Sequence, residues 1–236
     1  MRSLQLFFVA LTIAMPPALW IVSRRLRSDR FDQVVCRVLA ILLLGIEIGD
    51  LSLKVLGDRT PITGALPMQL CDWALLAVVV ALWGRRRTCF EVAYFWALGG
   101  TIQALVTPAI GAEVPHWRQA GFFLAHSLIV IGVVFLLLVL RMRPYAGSLM
   151  RVIFWSEIYL AAALFANAVT GENYGFLAGK PGNPSLLDLF SDVPWIYVAQ
   201  INVTGIAFFL ALYAPWFLWD RVKSRSAPAI GTTSRI

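Results

Sequence analysis

Apolar residues in this chain fall in long blocks separated by short polar segments, and blocks of that length predict helices rather than strands. Seven of them, 4–22, 34–56, 66–83, 88–107, 119–140, 151–169 and 194–218, each have about the ~20 residues that a helix needs to cross a hydrocarbon core. The expected fold is therefore all-α: a polytopic membrane bundle of seven transmembrane helices over 1–223, then a tail over 224–236. That tail is rich in Ser, Thr, Pro and Gly and is expected to be disordered. The first block is too long for a secretory h-region and no small-x-small cleavage site follows it, so it reads as a retained helix. Pro16-Pro17 predicts a kink within it. The longest polar segment, 171–194, begins with turn sequences around Asn173-Tyr174-Gly175 and Lys180-Pro181-Gly182. It ends with Leu186–Phe190, expected as a short interfacial helix.

The basic residues orient the bundle. Fifteen of the twenty Lys and Arg lie in one alternating set of segments, including Arg24, Arg25, Arg27, Arg85, Arg86, Arg87, Arg141, Arg143 and Arg221. The other set holds Arg2, Lys54, Arg59, Arg118 and Lys180. Cytoplasmic loops carry the excess of Lys and Arg, so the N-terminus is expected outside and the C-terminus in the cytoplasm.

Composition supports the membrane class: charged residues make up 14% of the chain, against about a quarter in soluble domains, and mean hydropathy is +0.75. The net charge of +7 comes from loop arginines, so it marks topology and not a nucleic-acid surface. Cys36 and Cys89 fall at the opposite membrane side from Cys71, which excludes a disulfide with Cys71. His116 and His126 lack the spacing of a metal site, and no metal or other cofactor is expected.

The polar residues inside the blocks gather toward the outer end. Glu47, Asp50, Cys71, Asp72, Gln103, His126, Gln200 and Asn202 lie within a few turns of one face, and ionisable groups inside a membrane are functional candidates by default. Asp50 and Lys54, four apart on one helix, are expected to pair. Glu157 lies deeper and has no assignable partner. Gly99-Gly100 permits close helix approach. By helix rise, Cys71 and His126 reach similar depth on different spans. A thiol becomes a strong nucleophile as thiolate, and a neighbouring imidazole can take its proton. Asp72, Glu47 and Asp50 are candidates to orient that imidazole, and Gln69, Gln103 and Asn202 could donate to an oxyanion.

The segments Leu66–Asp72, Tyr94–Ala104, Phe122–His126, and Asn173-Tyr174 through Lys180-Pro181 resemble the YwaF family of bacterial integral membrane proteins, which is similar to the eukaryotic transmembrane protein 164 group. The resemblance implies a plasma-membrane, multi-pass enzyme of lipid metabolism that moves a fatty acyl chain between phospholipids. Cys71 would be the nucleophile and His126 the base. Where the family has a histidine before Leu-Cys-Asp, this chain has Gln69.

The leading expectation is a Cys/His-dependent acyltransferase or acyl-ester hydrolase working at the outer leaflet on a phospholipid or fatty-acyl ester. Asn173, Tyr174 and Lys180 would hold the phosphate head group. The alternative is a non-enzymatic membrane protein that binds or senses a ligand in the same polar cluster. A transporter is a weaker reading, since no internal repeat is visible.

Overall fold

The computed structural model describes residues 2–111 and 114–225. Its helices are α1 (Arg2–Leu26), α2 (Asp29–Ser52), α3 (Ile62–Ala65), α4 (Leu70–Gly84), α5 (Arg87–Trp96), α6 (Ile102–Val106), α7 (His116–Leu138), α8 (Ser148–Thr170) and α9 (Pro194–Arg225). A π turn, Leu53–Gly57, extends α2, and a second, Ala97–Thr101, joins α5 to α6. Single 3-10 turns, Tyr174–Phe176 and Leu186–Leu189, punctuate the longest loop. The second of these is a single turn where a short helix was expected; Ser185 Oγ accepts from Leu187 N and Asp188 Oδ2 from Ser185 N, closing its cap. No strand occurs among the described residues.

Five helical stretches are long and apolar enough to cross a membrane: Arg2–Leu26, Arg87–Val106, His116–Leu138, Ser148–Thr170 and Pro194–Ser224. The other two expected spans are of a different kind. The α2 helix carries Arg37, Glu47 and Asp50 within its apolar stretch. The α4 helix has only 15 residues, about 22 Å at 1.5 Å per residue. It starts late because Pro67 follows Leu66 and holds that residue extended, at φ −59 and ψ 137. The α1 helix runs on through Pro16 and Pro17. Of the tail expected from 224, Ser224 and Arg225 continue α9, and the remainder lies outside the described residues.

The centre is built by α4, α5 and α7, whose Leu75, Leu82, Phe90, Phe95, Ile129 and Phe135 are fully buried. Lipid tails are as apolar as these side chains, so close packing holds such a bundle together rather than escape from water. Glycine sets the closest approaches. A Cβ on Gly132 would lie 2.9 Å from Val78 Cγ1, and one on Gly100 would lie 2.9 Å from Leu70 Cδ2. These two glycines let α7 and the α5–α6 rod press against α4, as expected for Gly100 from its place in the sequence.

The arginine-rich end is fastened by charge. Glu91, with no exposed surface, accepts from Arg87 Nε at 2.9 Å, Arg151 Nε at 2.5 Å and Arg151 Nη2 at 2.8 Å. Arg143 pairs with Asp220 at 2.7 Å, and its guanidinium lies over Tyr145. These contacts tie α5, α8, α9 and the α7–α8 loop to one another at the end opposite Cys71.

Candidate active site

Cys71 sits in the first turn of α4, where the helix cap and the 171–194 loop meet. Gln69 is the N-cap, with extended backbone at φ −75 and ψ 154. Asp72, three residues on, accepts from the Gln69 N–H at 2.8 Å, which satisfies a donor that the helix start would otherwise leave bare. The second oxygen of Asp72 receives the Cys71 thiol at 3.5 Å. Asp72 is thus held by the α4 cap and by the thiol.

The 171–194 loop is fastened over this turn. The Gln69 side-chain oxygen accepts from Gly175 N at 2.9 Å. Gly175 has φ +65, and a Cβ there would come within 2.6 Å of the Tyr159 hydroxyl, so glycine is required both by conformation and by space. Tyr159 donates to the Met68 carbonyl at 3.3 Å, and its ring is flanked by Trp73 and Trp96 at 5.4 and 6.0 Å. Asn167 grips the Tyr174 backbone at both N–H and C=O. The Tyr174 hydroxyl donates to the Thr63 carbonyl. Desolvation raises its pKa, which keeps it a donor at neutral pH.

Charges gather on the α2 side. Asp50 and Lys54 form the expected ion pair at 2.6 Å, and Glu47 lies within electrostatic reach of Asp72, Lys54 and Asp50. One ammonium therefore stands among three carboxylates beside the thiol's helix.

His126 lies on α7 between Phe123 and Val130, which belong to the smaller cluster with Phe8 of α1, and its ring packs on Phe122 at 4.1 Å. Cys71 lies on the α4 stripe of Ala74, Leu75, Val78 and Leu82, which faces the main core. Cys71 shares the α4 face of Val78, which meets Gly132 of α7, whereas His126, six residues from Gly132, lies about a third of a turn around α7 from that contact. The two residues are on helices that pack against each other. Their hydrogen bonds go elsewhere: the thiol to Asp72, and His126 Nδ1 to the Phe122 carbonyl at 2.7 Å. A carbonyl can only accept, so Nδ1 carries the proton and Nε2 keeps the lone pair.

None of several other sequence candidates bonds to the Cys71 turn among the described residues. Asn202 donates to Glu157 Oε1 at 2.7 Å, between α8 and α9. Gln200 accepts from Ser191 N and holds the loop end. Lys180 is bound by Asp192 Oδ1 at 2.7 Å and the Phe190 carbonyl at 2.8 Å. The Asn173 side chain joins Gly179 O and Ala178 N. The Gln103 side chain makes no hydrogen bond among the described residues. All three cysteines are free thiols. Sequence reading passed over Tyr159, Trp96 and Glu91. Each carried a signal, since a polar tip or a charge within an apolar block needs a partner.

A helical, multi-pass membrane protein with one thiol in a capped, loop-covered turn is the class these features define. The TMEM164 family model matches residues 2–213, and the chain belongs to that family. An uncharacterized protein of Treponema pallidum (strain Nichols) is 30% identical over 176 residues, 74% of this chain and 71% of the relative. No solved structure matches the chain.

Proposed function

We propose that the protein is a Cys71/His126-dependent acyltransferase or acyl-ester hydrolase of the bacterial plasma membrane, in the YwaF branch of its family. In this reading seven segments span the bilayer, the N-terminus is outside, and the site opens to the outer leaflet. The observations that support the reading are a thiol held in a capped, loop-covered first turn of α4 and, on α7 packed against α4, an imidazole whose Nε2 makes no hydrogen bond among the described residues.

A phospholipid ester carbonyl approaches Cys71. His126 Nε2 takes the thiol proton, and the sulfur attacks the carbonyl carbon. The tetrahedral oxyanion collapses, the C–O bond breaks, and the leaving lysolipid oxygen takes the proton back from His126. An acyl thioester remains on Cys71. A hydroxyl of a second lipid, or water, then loses its proton to His126 and attacks the thioester, and the Cys71 thiolate leaves and is reprotonated. Asp72 holds the thiol at rest and fixes the first turn of α4. Lys180, Asn173 and Tyr174 belong to the loop above the site, and in this reading Lys180 exchanges Asp192 for the lipid phosphate.

The test is acyl exchange between labelled phospholipids in proteoliposomes. Cys71→Ala and His126→Ala are each expected to abolish exchange while the helical content stays that of wild type. Exchange at the wild-type rate by Cys71→Ala protein sinks the proposal.

A further inference from the structure

Glu157 and Asn202 mark a second feature, away from the Cys71 turn. Between α8 and α9 lies a cleft of about 140 Å³ whose walls include Ile153, Leu160, Gly205, Ile206 and Phe209. Its size is close to that of an engineered apolar cavity of ~150 Å³ that stays dry and admits a benzene-sized guest. Glu157 and Asn202 are both in its wall, and the Asn202 amide donates to the Glu157 carboxylate at 2.7 Å, joining α8 to α9. A carboxyl group on an apolar helix is costly unless paired, and this pairing fastens two helices that leave most of their apolar surface bare.

The upper end of the cleft is the covering of the Cys71 turn. Leu70 and Gly175 line it. Leu70 immediately precedes Cys71, and Gly175 is the residue held by Gln69. The lower end is formed by Ile153 and Phe209. Gly205 faces open space: a Cβ there meets nothing within 4 Å, so a side chain at 205 would occupy the cleft rather than strike the protein.

We propose that this cleft receives one acyl chain of a membrane phospholipid, ester end at Leu70 and tail toward Phe209, with Gly205 keeping its bore open. The proposal deepens the reading of Cys71 and rests on it only for what happens to the ester. From Ile201 to Phe209 the helix rises about 12 Å at 1.5 Å per residue. That rise bounds the length, and a volume that admits a benzene-sized guest encloses roughly six carbons of a chain lying along it. The apolar walls, the opening toward lipid and the junction with the Cys71 turn favour a chain over a second copy of the protein.

The experiment uses the full chain in phosphatidylcholine vesicles doped with a phosphatidylcholine bearing a diazirine near mid-chain, with adducts mapped by peptide mass spectrometry. Adducts are expected within 153–160 and 201–209, concentrated at Ile153 and Phe209. Gly205→Leu should lose most of them while labelling at the exposed Val169 and Phe165 persists, and Gly205→Ala should retain most of them, which separates blocking from misfolding. Unchanged cleft labelling in Gly205→Leu overturns the proposal. So does labelling spread evenly over Val169, Phe165 and the cleft, or crosslinking of the cleft peptides to a second copy. Cys71→Ala should label like wild type. If wild type labels as expected but shows no acyl exchange, the cleft stands and the catalytic reading falls.

Discussion

Replacing Glu91 by alanine tests the clamp at the arginine-rich end. Its carboxylate is wholly buried and accepts three charge-assisted hydrogen bonds, one from Arg87 and two from Arg151. Removing one member of a buried ion pair costs about 3–5 kcal/mol, because the partner charge is stranded. Here the Arg87 and Arg151 side chains are 56% and 40% exposed, so both rehydrate and the loss falls at the lower bound, about 3 kcal/mol. At about 2–4 °C per kcal/mol for a chain of this size, Glu91→Ala should melt roughly 6–12 °C below wild type. Arg151→Ala removes two of the bonds and strands the buried carboxylate in part, costing about 2 kcal/mol. Arg87→Ala removes one bond from a more exposed partner and costs about 1 kcal/mol or less. The assay is a tryptophan-fluorescence melt of detergent-solubilised protein at one fixed scan rate, since unfolding of such a protein is scan-rate dependent. A Glu91→Ala melt indistinguishable from wild type, or Arg87→Ala falling further than Arg151→Ala, would refute the assignment of Glu91 as the centre of the clamp.

Substitutions at three further positions probe the Cys71 turn. Asp72→Ala should cost about 1 kcal/mol through the lost cap and lower acyl exchange as well, whereas Asp72→Asn, which keeps an acceptor for Gln69 N, should recover most of the stability in the same melt. Gly175→Ala imposes about 1–2 kcal/mol of left-handed backbone strain and presses on Tyr159. It should accelerate limited proteolysis within 171–194, and cleavage at the wild-type rate would contradict the fastening described for that loop. Gly100→Ala forces the flexible tip of Leu70 aside, so it should reduce acyl exchange with little change in melting. Unaltered exchange would mean that Leu70 does not set the position of Cys71.

Much of the fold was legible because blocks of about twenty apolar residues leave few alternatives to a membrane helix. The five strongest matched helical stretches in the structure, and the Asp50–Lys54 pair followed from helical spacing alone. The short α4 was harder to read. Pro67 withholds the first residues of the apolar block from the helix, an effect of backbone conformation that hydropathy does not register. Depth placed Cys71 and His126 at one level, but depth carries no azimuth. Asn202 was grouped with Cys71 by depth, yet its amide turns to Glu157 on α8. Glu157 had no assignable partner for the same reason: its partner is on another helix. Asp72 looked like a group to orient an imidazole and is a helix cap, a role that the Gln69-x-x-Asp72 spacing offers as a capping-box pattern. Glu91 was hidden by the arginine run beside it, which was read for topology alone.

The most direct measurement is the intact mass of the purified protein after brief incubation with a phospholipid of defined acyl chain and rapid acid quenching. A Cys/His acyl transfer site gives a mass increase of one acyl group on Cys71, removed by hydroxylamine and absent from Cys71→Ala. In His126→Ala the adduct should form far more slowly. An acyl exchange activity that proceeds with no adduct on Cys71, or an adduct that forms at the same rate without His126, would contradict the proposed mechanism.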